Sequence, residues 1–189
     1  DGIPYRSLPG AHSPLAPYFT RGSGHDEKAR YTENSATYKR VLDRLRKKFE
    51  TAKNIVPKPL IDIIPGAEVG LIAFGSTDIV IPEARDSLGK VGLKTSYLRL
   101  RAYPFHDDVG KFIAQHKRIY VIEQNRDGQM KQLLFGEFGD LNLNIISVLH
   151  YDGLPVYKDV IVDPILASEK SGQASKKTKF MSPLESRHV

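Results

Sequence analysis

RIYVIEQNRDGQ, residues 118 to 129, runs from four apolar or β-favouring residues, Ile119, Tyr120, Val121 and Ile122, into a polar knot, Glu123 to Gly128, and then into a helical pattern. That order predicts a buried strand, a tight turn and a helix. Working outward, the same alternation repeats. Before it, Val69 to Phe74 is an apolar run ending in Gly75, Ser76 and Thr77, and Asp78 to Leu88 predicts a helix with Ile81, Ala84 and Leu88 on its buried side. Thr95 to Ala102 predicts a strand ending at Tyr103, Pro104, Phe105 and His106, and Val109, Phe112, Ile113 and His116 mark one side of the next helix, with Asp107 and Asp108 at its start. After it, Met130, Leu133 and Leu134 give the following helix an apolar side, Asn144 to Leu149 is the last strand, and Val160 to Ala167 a closing helix. Leu60 to Ile64 is a short run at the beginning. Alternating strands and helices over residues 60 to 168 predict a layered α/β domain with a largely parallel sheet.

The flanks differ from this centre. Residues 1 to 33 are dense in Pro, Gly and Ser without a helical or strand period and predict an extended arm. From Ser35, Tyr38, Val41, Leu42, Leu45, Phe49, Ala52 and Val56 form one stripe of a long helix that Pro57 ends. Lys39, Arg40, Arg44, Arg46, Lys47 and Lys48 occupy its other face, as on any solvated helix. Residues 169 to 189 are polar, lysine-rich and without a period, which predicts a disordered basic tail. The net charge of +6 divides as 12 basic against 6 acidic residues over 1 to 59, 11 against 14 over 60 to 168, and 5 against 2 over 169 to 189. The centre is acidic, so a compact nucleic-acid face is not expected.

Cysteine is absent, which excludes disulfides and thiolate-held clusters within this sequence. There is no long apolar run and no signal-peptide pattern, so a cytoplasmic protein without membrane partners is expected, and a chain starting at Asp1 suits a fragment or a processed piece. Catalytic signatures are sparse. No G-x-G-x-x-G follows a strand, Ser87 to Val91 lacks the parts of a phosphate loop, and no G-x-S-x-G occurs. The histidines show no metal spacing, so no metal site is expected. What the sequence does place together is a set of strand ends: in a parallel sheet, Gly75, Ser76 and Thr77, the Tyr103 to His106 turn, Glu123, Gln124 and Asn125, and His150 to Gly153 lie along one edge, where ligands and partners collect. Thr77 and Asp78 at a helix start would suit an anion. His25, Asp26 and Glu27 in the arm form a second acid–base cluster, able to move a proton or to pin a loop.

Six phrases in order resemble one family: DGIPYRSLPG at 1 to 10, YFTRGSGHDEKARY at 18 to 31, RLRKKFETAKNIVPKP at 44 to 59, IAFGST at 72 to 77, VIEQNRDGQM at 121 to 130 and HYDGLPV at 150 to 156. They are similar to the C-terminal part of the α subunit of 2-oxoacid:ferredoxin oxidoreductases, of the 2-oxoglutarate synthase type. The resemblance implies a three-layer α/β/α sandwich like the transketolase C-terminal domain, with a five-strand mostly parallel sheet, Leu60 to Ile64 antiparallel and the Val69 strand central. It implies that residues 1 to 59 leave a pyrimidine-binding domain outside this sequence. It also implies thiamine diphosphate, Mg²⁺, iron–sulfur clusters and coenzyme A in the parent enzyme, with ferredoxin and other subunits as partners. Gly139-Asp140-Leu141-Asn142 is not the Gly-Asp-Gly pattern of a diphosphate and Mg²⁺ site, so the cofactor would be held outside this chain. On this resemblance Glu123, Gln124, Asn125, Gly128 and Gln129, with Gly75, Ser76 and Thr77, would contact another subunit, and His25, Asp26 and Glu27 would lie near the substrate or coenzyme A channel. The alternative is a free-standing α/β binding or regulatory domain for an anionic ligand.

Overall fold

The computed structural model describes residues 1 to 14, 16, 17, 24 to 139 and 144 to 172. The expectations for the tail from 173 onward and for Asp140 to Asn142 lie outside those residues. Two compact units separate: residues 1 to 56 with Tyr103–Phe105, and the chain from Pro57 without those three residues.

In the first unit, α1 (Ser35–Ala52) starts at Asn34, whose side chain accepts a hydrogen bond from Thr37 N at 2.9 Å. The helix stops at Ala52, short of the Val56 that the stripe suggests. Nor is the stripe a buried seam in this chain: Val41 is the buried residue of α1, while Tyr38, Leu42 and Phe49 are each about half exposed. The arm lies on α1 through its main chain. Arg44 donates to Gly2 O at 3.0 Å and Thr51 Oγ1 to Asp1 O. Gly2 has φ +76°, and a Cβ there would stand 2.5 Å from Lys48 N, so only glycine fits the approach.

The second unit has the expected sheet. Its elements are β1 (Leu60–Asp62), β2 (Val69–Phe74), α2 (Ile81–Lys90), β3 (Thr95–Leu100), α3 (Asp107–Ala114), β4 (Arg118–Glu123), α4 (Gln129–Phe138), β5 (Ile145–Leu149) and α5 (Asp159–Ser171). The strand order is β1-β3-β2-β4-β5, with β1 antiparallel to β3 and every other pair parallel. β2 is central, and its register against β4 pairs Val69 with Arg118 and Ile72 with Val121. Two-residue alternation sends successive side chains of β2 to opposite layers. Leu71 and Ala73 join Ile81, Ala84 and Leu88 of α2 and Ile161, Val162 and Ile165 of α5 in one buried cluster. Gly70 points the other way, where a Cβ would meet the Phe112 ring of α3 at 2.8 Å. Helices on both faces complete the three layers.

Several boundaries depart from the sequence pattern, β3 ending at Leu100 and β5 starting at Ile145 among them, and three have a visible cause. β1 is only three residues, all exposed, because an edge strand has a single neighbour. The helix expected from Asp78 is preceded by a 3-10 turn over Gly75–Val80, and α2 begins at Ile81 with Pro82 in its first turn. α5 continues to Ser171, past the Ala167 expected, because Glu169 holds it down: Tyr120 OH donates to Glu169 Oε1 at 2.7 Å and Arg118 Nε at 2.8 Å.

Tyr120 is fully buried, and that burial, reinforced by Glu169, pushes its phenol up to about 12. A phenol raised in the folded state contributes stability that is complete below its unfolded value near 10 and is lost as pH climbs toward 12. Urea unfolding midpoints should therefore fall across that interval, and Tyr120→Phe should flatten the fall while costing roughly 1 kcal/mol at neutral pH for the lost hydrogen bond.

Candidate functional site

The carboxyl edge of the sheet is built around a buried acid. Glu123 ends β4 with its side chain fully buried. Its Oε2 accepts from Met130 N at 2.7 Å and from Asn125 Nδ2 at 2.9 Å, and its Oε1 from Lys131 N at 3.1 Å. Met130 and Lys131 lie in the first turn of α4, so the carboxylate caps that helix and sits at the positive end of its dipole. Asn125 closes the turn between: its Oδ1 accepts from Asp127 N at 3.1 Å and Gln129 N at 3.2 Å. Gly128 turns the chain into α4 at φ 62°, ψ 43°, the left-handed region where glycine is strain-free. A Cβ there would be 3.2 Å from Ser147 Oγ.

A second lock joins β4 to its neighbour. Gln124 Nε2 donates to Thr77 Oγ1 at 3.0 Å and Ser76 Oγ at 3.2 Å, tying the end of β4 to the 3-10 turn after β2. That turn is held from its other side. Asp78 Oδ1 accepts from Tyr97 OH at 2.8 Å, and its Oδ2 pairs with Arg99 at 2.9 Å. Burial, then the Asp78 carboxylate, raise the Tyr97 phenol well above its usual value. Tyr97 and Arg99 alternate on β3 and so reach the same side, a signal the sequence carried at spacing two without a partner to attach it to.

Between these locks lies a crevice of about 370 Å³, lined by Phe74, Gly75, Ser76, Thr77, Gln124, Asn125, Gln129, Met130 and Leu133. Six of the eight strand-end residues singled out in the sequence line it. The other two, Glu123 and Gly128, stand behind it as its frame. The anion site expected at Thr77 and Asp78 does not have the geometry of an α-helix N-terminus: both residues are inside the 3-10 turn, and Asp78 is itself an acid paired to Arg99. Nor does α4 offer free donors, since the N–H groups of Gln129, Met130, Lys131 and Gln132 go to Asn125, Glu123, Glu123 and Gly128 O.

Other sequence candidates resolve locally. His106 Nδ1 accepts from Asp108 N at 3.2 Å and caps α3. His150, 7 % exposed, lies with Nε2 2.8 Å from Leu154 O; a carbonyl only accepts, so Nε2 carries the proton. His116 Nδ1 lies 2.7 Å from Phe112 O, just past the end of α3. In the first unit, Asp26 accepts from Lys28 N, Arg30 N and Arg30 Nε, and Glu27 pairs with Arg40 of α1 at 2.6 Å. The Arg40 guanidinium holds the Glu27 carboxyl at about 2. His25 bridges to Tyr31 across the same loop. Among the described residues no three of His, Asp and Glu gather as a metal site, and no helix is long and apolar enough to cross a membrane.

These features define an α/β/α domain with a neutral, amide- and hydroxyl-lined site at the carboxyl edge of a mostly parallel sheet. By sequence the chain is similar to the α subunits of 2-oxoacid:ferredoxin oxidoreductases, and the share of those subunits it matches fits a C-terminal part. It is 29% identical over 139 residues to 2-oxoacid:ferredoxin oxidoreductase 2, subunit alpha, of Aeropyrum pernix, covering 71% of this chain and 21% of that one. It is 26% identical over 174 residues to the 2-oxoacid:ferredoxin oxidoreductase subunit alpha of Saccharolobus solfataricus, covering 85% and 27%. The chain thus spans about a fifth to a quarter of the length of these curated relatives. No family model matches it. Its fold is that of part of the 2-oxoglutarate:ferredoxin oxidoreductase from Magnetococcus marinus, solved with 2-oxoglutarate, coenzyme A and succinyl-CoA bound, at a TM-score of 0.70, 24% identity and coverage of 82% and 27%.

Replacing Glu123 by alanine strands two helix N–H groups and the Asn125 amide in a buried place. We expect a loss of about 1 to 3 kcal/mol per stranded donor in urea unfolding, with Glu123→Gln milder because it keeps one acceptor. Equal stability of Glu123→Ala and wild type would contradict the capping role.

Proposed function

We propose that this chain is the C-terminal part of the α subunit of a thiamine-diphosphate-dependent 2-oxoacid:ferredoxin oxidoreductase, and that its carboxyl-edge crevice docks another subunit and walls the active site. The observation that carries this reading is that the crevice is preformed and that its described lining residues include no acid or base. Glu123 is spent on α4, Asp78 on Arg99 and Tyr97, and Asp127 on Arg126 at 2.7 Å. Proton transfer needs a titratable group within reach of substrate, and the described lining of this crevice offers amides, hydroxyls and apolar groups instead. Such a surface suits fixed contact between proteins. The relatives, all oxidoreductase α subunits, support the parent reaction: oxidative decarboxylation of a 2-oxoacid such as 2-oxoglutarate to an acyl-CoA.

In that reaction thiamine diphosphate supplies the carbanion chemistry. The described residues do not fit its Mg²⁺, since no three of His, Asp and Glu among them are placed to hold a metal ion, and the sequence has no cysteine for an iron–sulfur cluster. We therefore assign cofactor, metal and clusters to other segments or subunits, and electron delivery to ferredoxin to the assembled complex. Residues 1 to 59 serve in this reading as the exit from a pyrimidine-binding domain. Of the arm cluster, we keep His25 for a substrate or coenzyme A channel through Nε2, its Nδ1 lying 2.9 Å from Asp26 O, while Asp26 and Glu27 already neutralise Arg30 and Arg40.

The test is made on the complete α subunit with its partner. Ser76→Trp plugs the exposed mouth of the crevice; we expect assembled complex and 2-oxoacid-dependent ferredoxin reduction to fall together by about tenfold or more, the loss of a well-placed interface contact. Wild-type assembly and turnover with the plug in place would overturn the docking role.

A further inference from the structure

We infer that the crevice between the ends of β2 and β4 receives an uncharged loop of the partner subunit, one apolar side chain seated against Phe74, Met130 and Leu133 and its main chain held by the Gln124 and Gln129 carboxamides. This rests on the docking reading above and names the chemistry of the partner. Among the described residues, none that lines it is charged. The carboxylates framing the crevice are neutralised locally: Glu123 by main-chain donors of α4 and Asn125, Asp78 by Arg99 and Tyr97, Asp127 by Arg126; Lys131, half-buried in the first turn of α4, is not among the lining residues. A phosphate or carboxylate would meet no cation among the described lining residues and no free N–H in the first turn of α4, and an ammonium no carboxylate there, so either would lose hydration with little compensation from the lining.

A main-chain amide needs one acceptor and one donor. Gln124 has its Nε2 committed to Ser76 and Thr77, which turns its carbonyl oxygen into a fixed acceptor. Gln129 contributes only its main-chain N–H to the turn, leaving its carboxamide to supply the donor. Asn125 is used at both ends, by Glu123 on one side and by Asp127 and Gln129 on the other, so it shapes the crevice rather than contacting the guest. The volume of about 370 Å³ is near the small end of ligand sites, and its walls at Ser76, Gln124, Gln129 and Leu133 are exposed, which suits an inserted side chain better than an engulfed molecule. Beyond the crevice the same edge exposes Ile79 at 83 % and Tyr151 at 64 %, large apolar residues of the kind that protein interfaces cover.

The experiment compares Gln129→Glu, Gln129→Lys and Leu133→Ala in the complete α subunit, measuring affinity for the partner subunit by sedimentation at low and high salt, with thermal unfolding to confirm that each variant is folded. Both charges should weaken assembly by about tenfold or more and Leu133→Ala by a few-fold, while salt leaves the wild-type affinity nearly unchanged. Tighter assembly with one sign of charge would show a charged partner and overturn the inference. Tolerance of both charges while the Ser76→Trp plug still blocks assembly would overturn the uncharged chemistry and leave docking standing; tolerance of charges and plug alike would remove docking itself. Loss of turnover with normal assembly would mark a small-molecule site and also overturn the inference.

Discussion

The carboxylate of Glu123, buried at the carboxyl end of β4, is the constraint from which the edge of this domain follows. A buried acid is costly unless donors surround it, and here three do: two helix N–H groups and one carboxamide. Satisfying it fixes where α4 begins, and that start fixes the turn, because Gly128 must enter α4 in the left-handed region with Ser147 of β5 packed close by. One strand-end acid thus sets the direction of a helix, the shape of a turn and one wall of the crevice. The other wall is set by β2, whose 3-10 turn is clamped between Gln124 and the Tyr97–Asp78–Arg99 group.

Much of this was legible in the sequence, for definite reasons. The polar knot after Tyr120-Val121-Ile122 marks a strand end whatever its partners, and the four strand-end sets fall on one edge because parallel strands leave no other arrangement. Antiparallel β1 and central β2 came from the resemblance, since periodicity does not give strand order. The structure bears both out. What the sequence could not give was which polar side chains would be consumed. Glu123 and Asp78 look like free acids until the helix N–H groups and Arg99 are seen against them. The 3-10 turn is not legible because Ser76, Thr77 and Asp78 are residue types that open an α-helix as readily as a 3-10 turn. The apolar stripe of α1 was legible as a stripe, but burial is a property of neighbours, and in this chain Tyr38, Leu42 and Phe49 remain half exposed.

Structure and function meet at the difference between a charged and a spent acid. A carboxylate at the end of an interior parallel strand would ordinarily be the first candidate for acid–base chemistry. In this domain its charge is turned inward to hold α4, and the described residues that line the crevice are uncharged. That division of labour is the one the proposed docking role requires. It agrees with a chain that spans a fifth to a quarter of the oxidoreductase α subunits to which it is similar.

Amide hydrogen exchange at Met130 and Lys131 tests the central claim most directly. If Glu123 caps α4 as a buried carboxylate, both amides exchange only through unfolding of the whole unit, with protection matching that of β4, although first-turn helix amides have no partner within the helix. Rapid exchange at these two positions, at the rate of frayed helix ends, would show that the carboxylate does not hold them and that the crevice has no fixed frame.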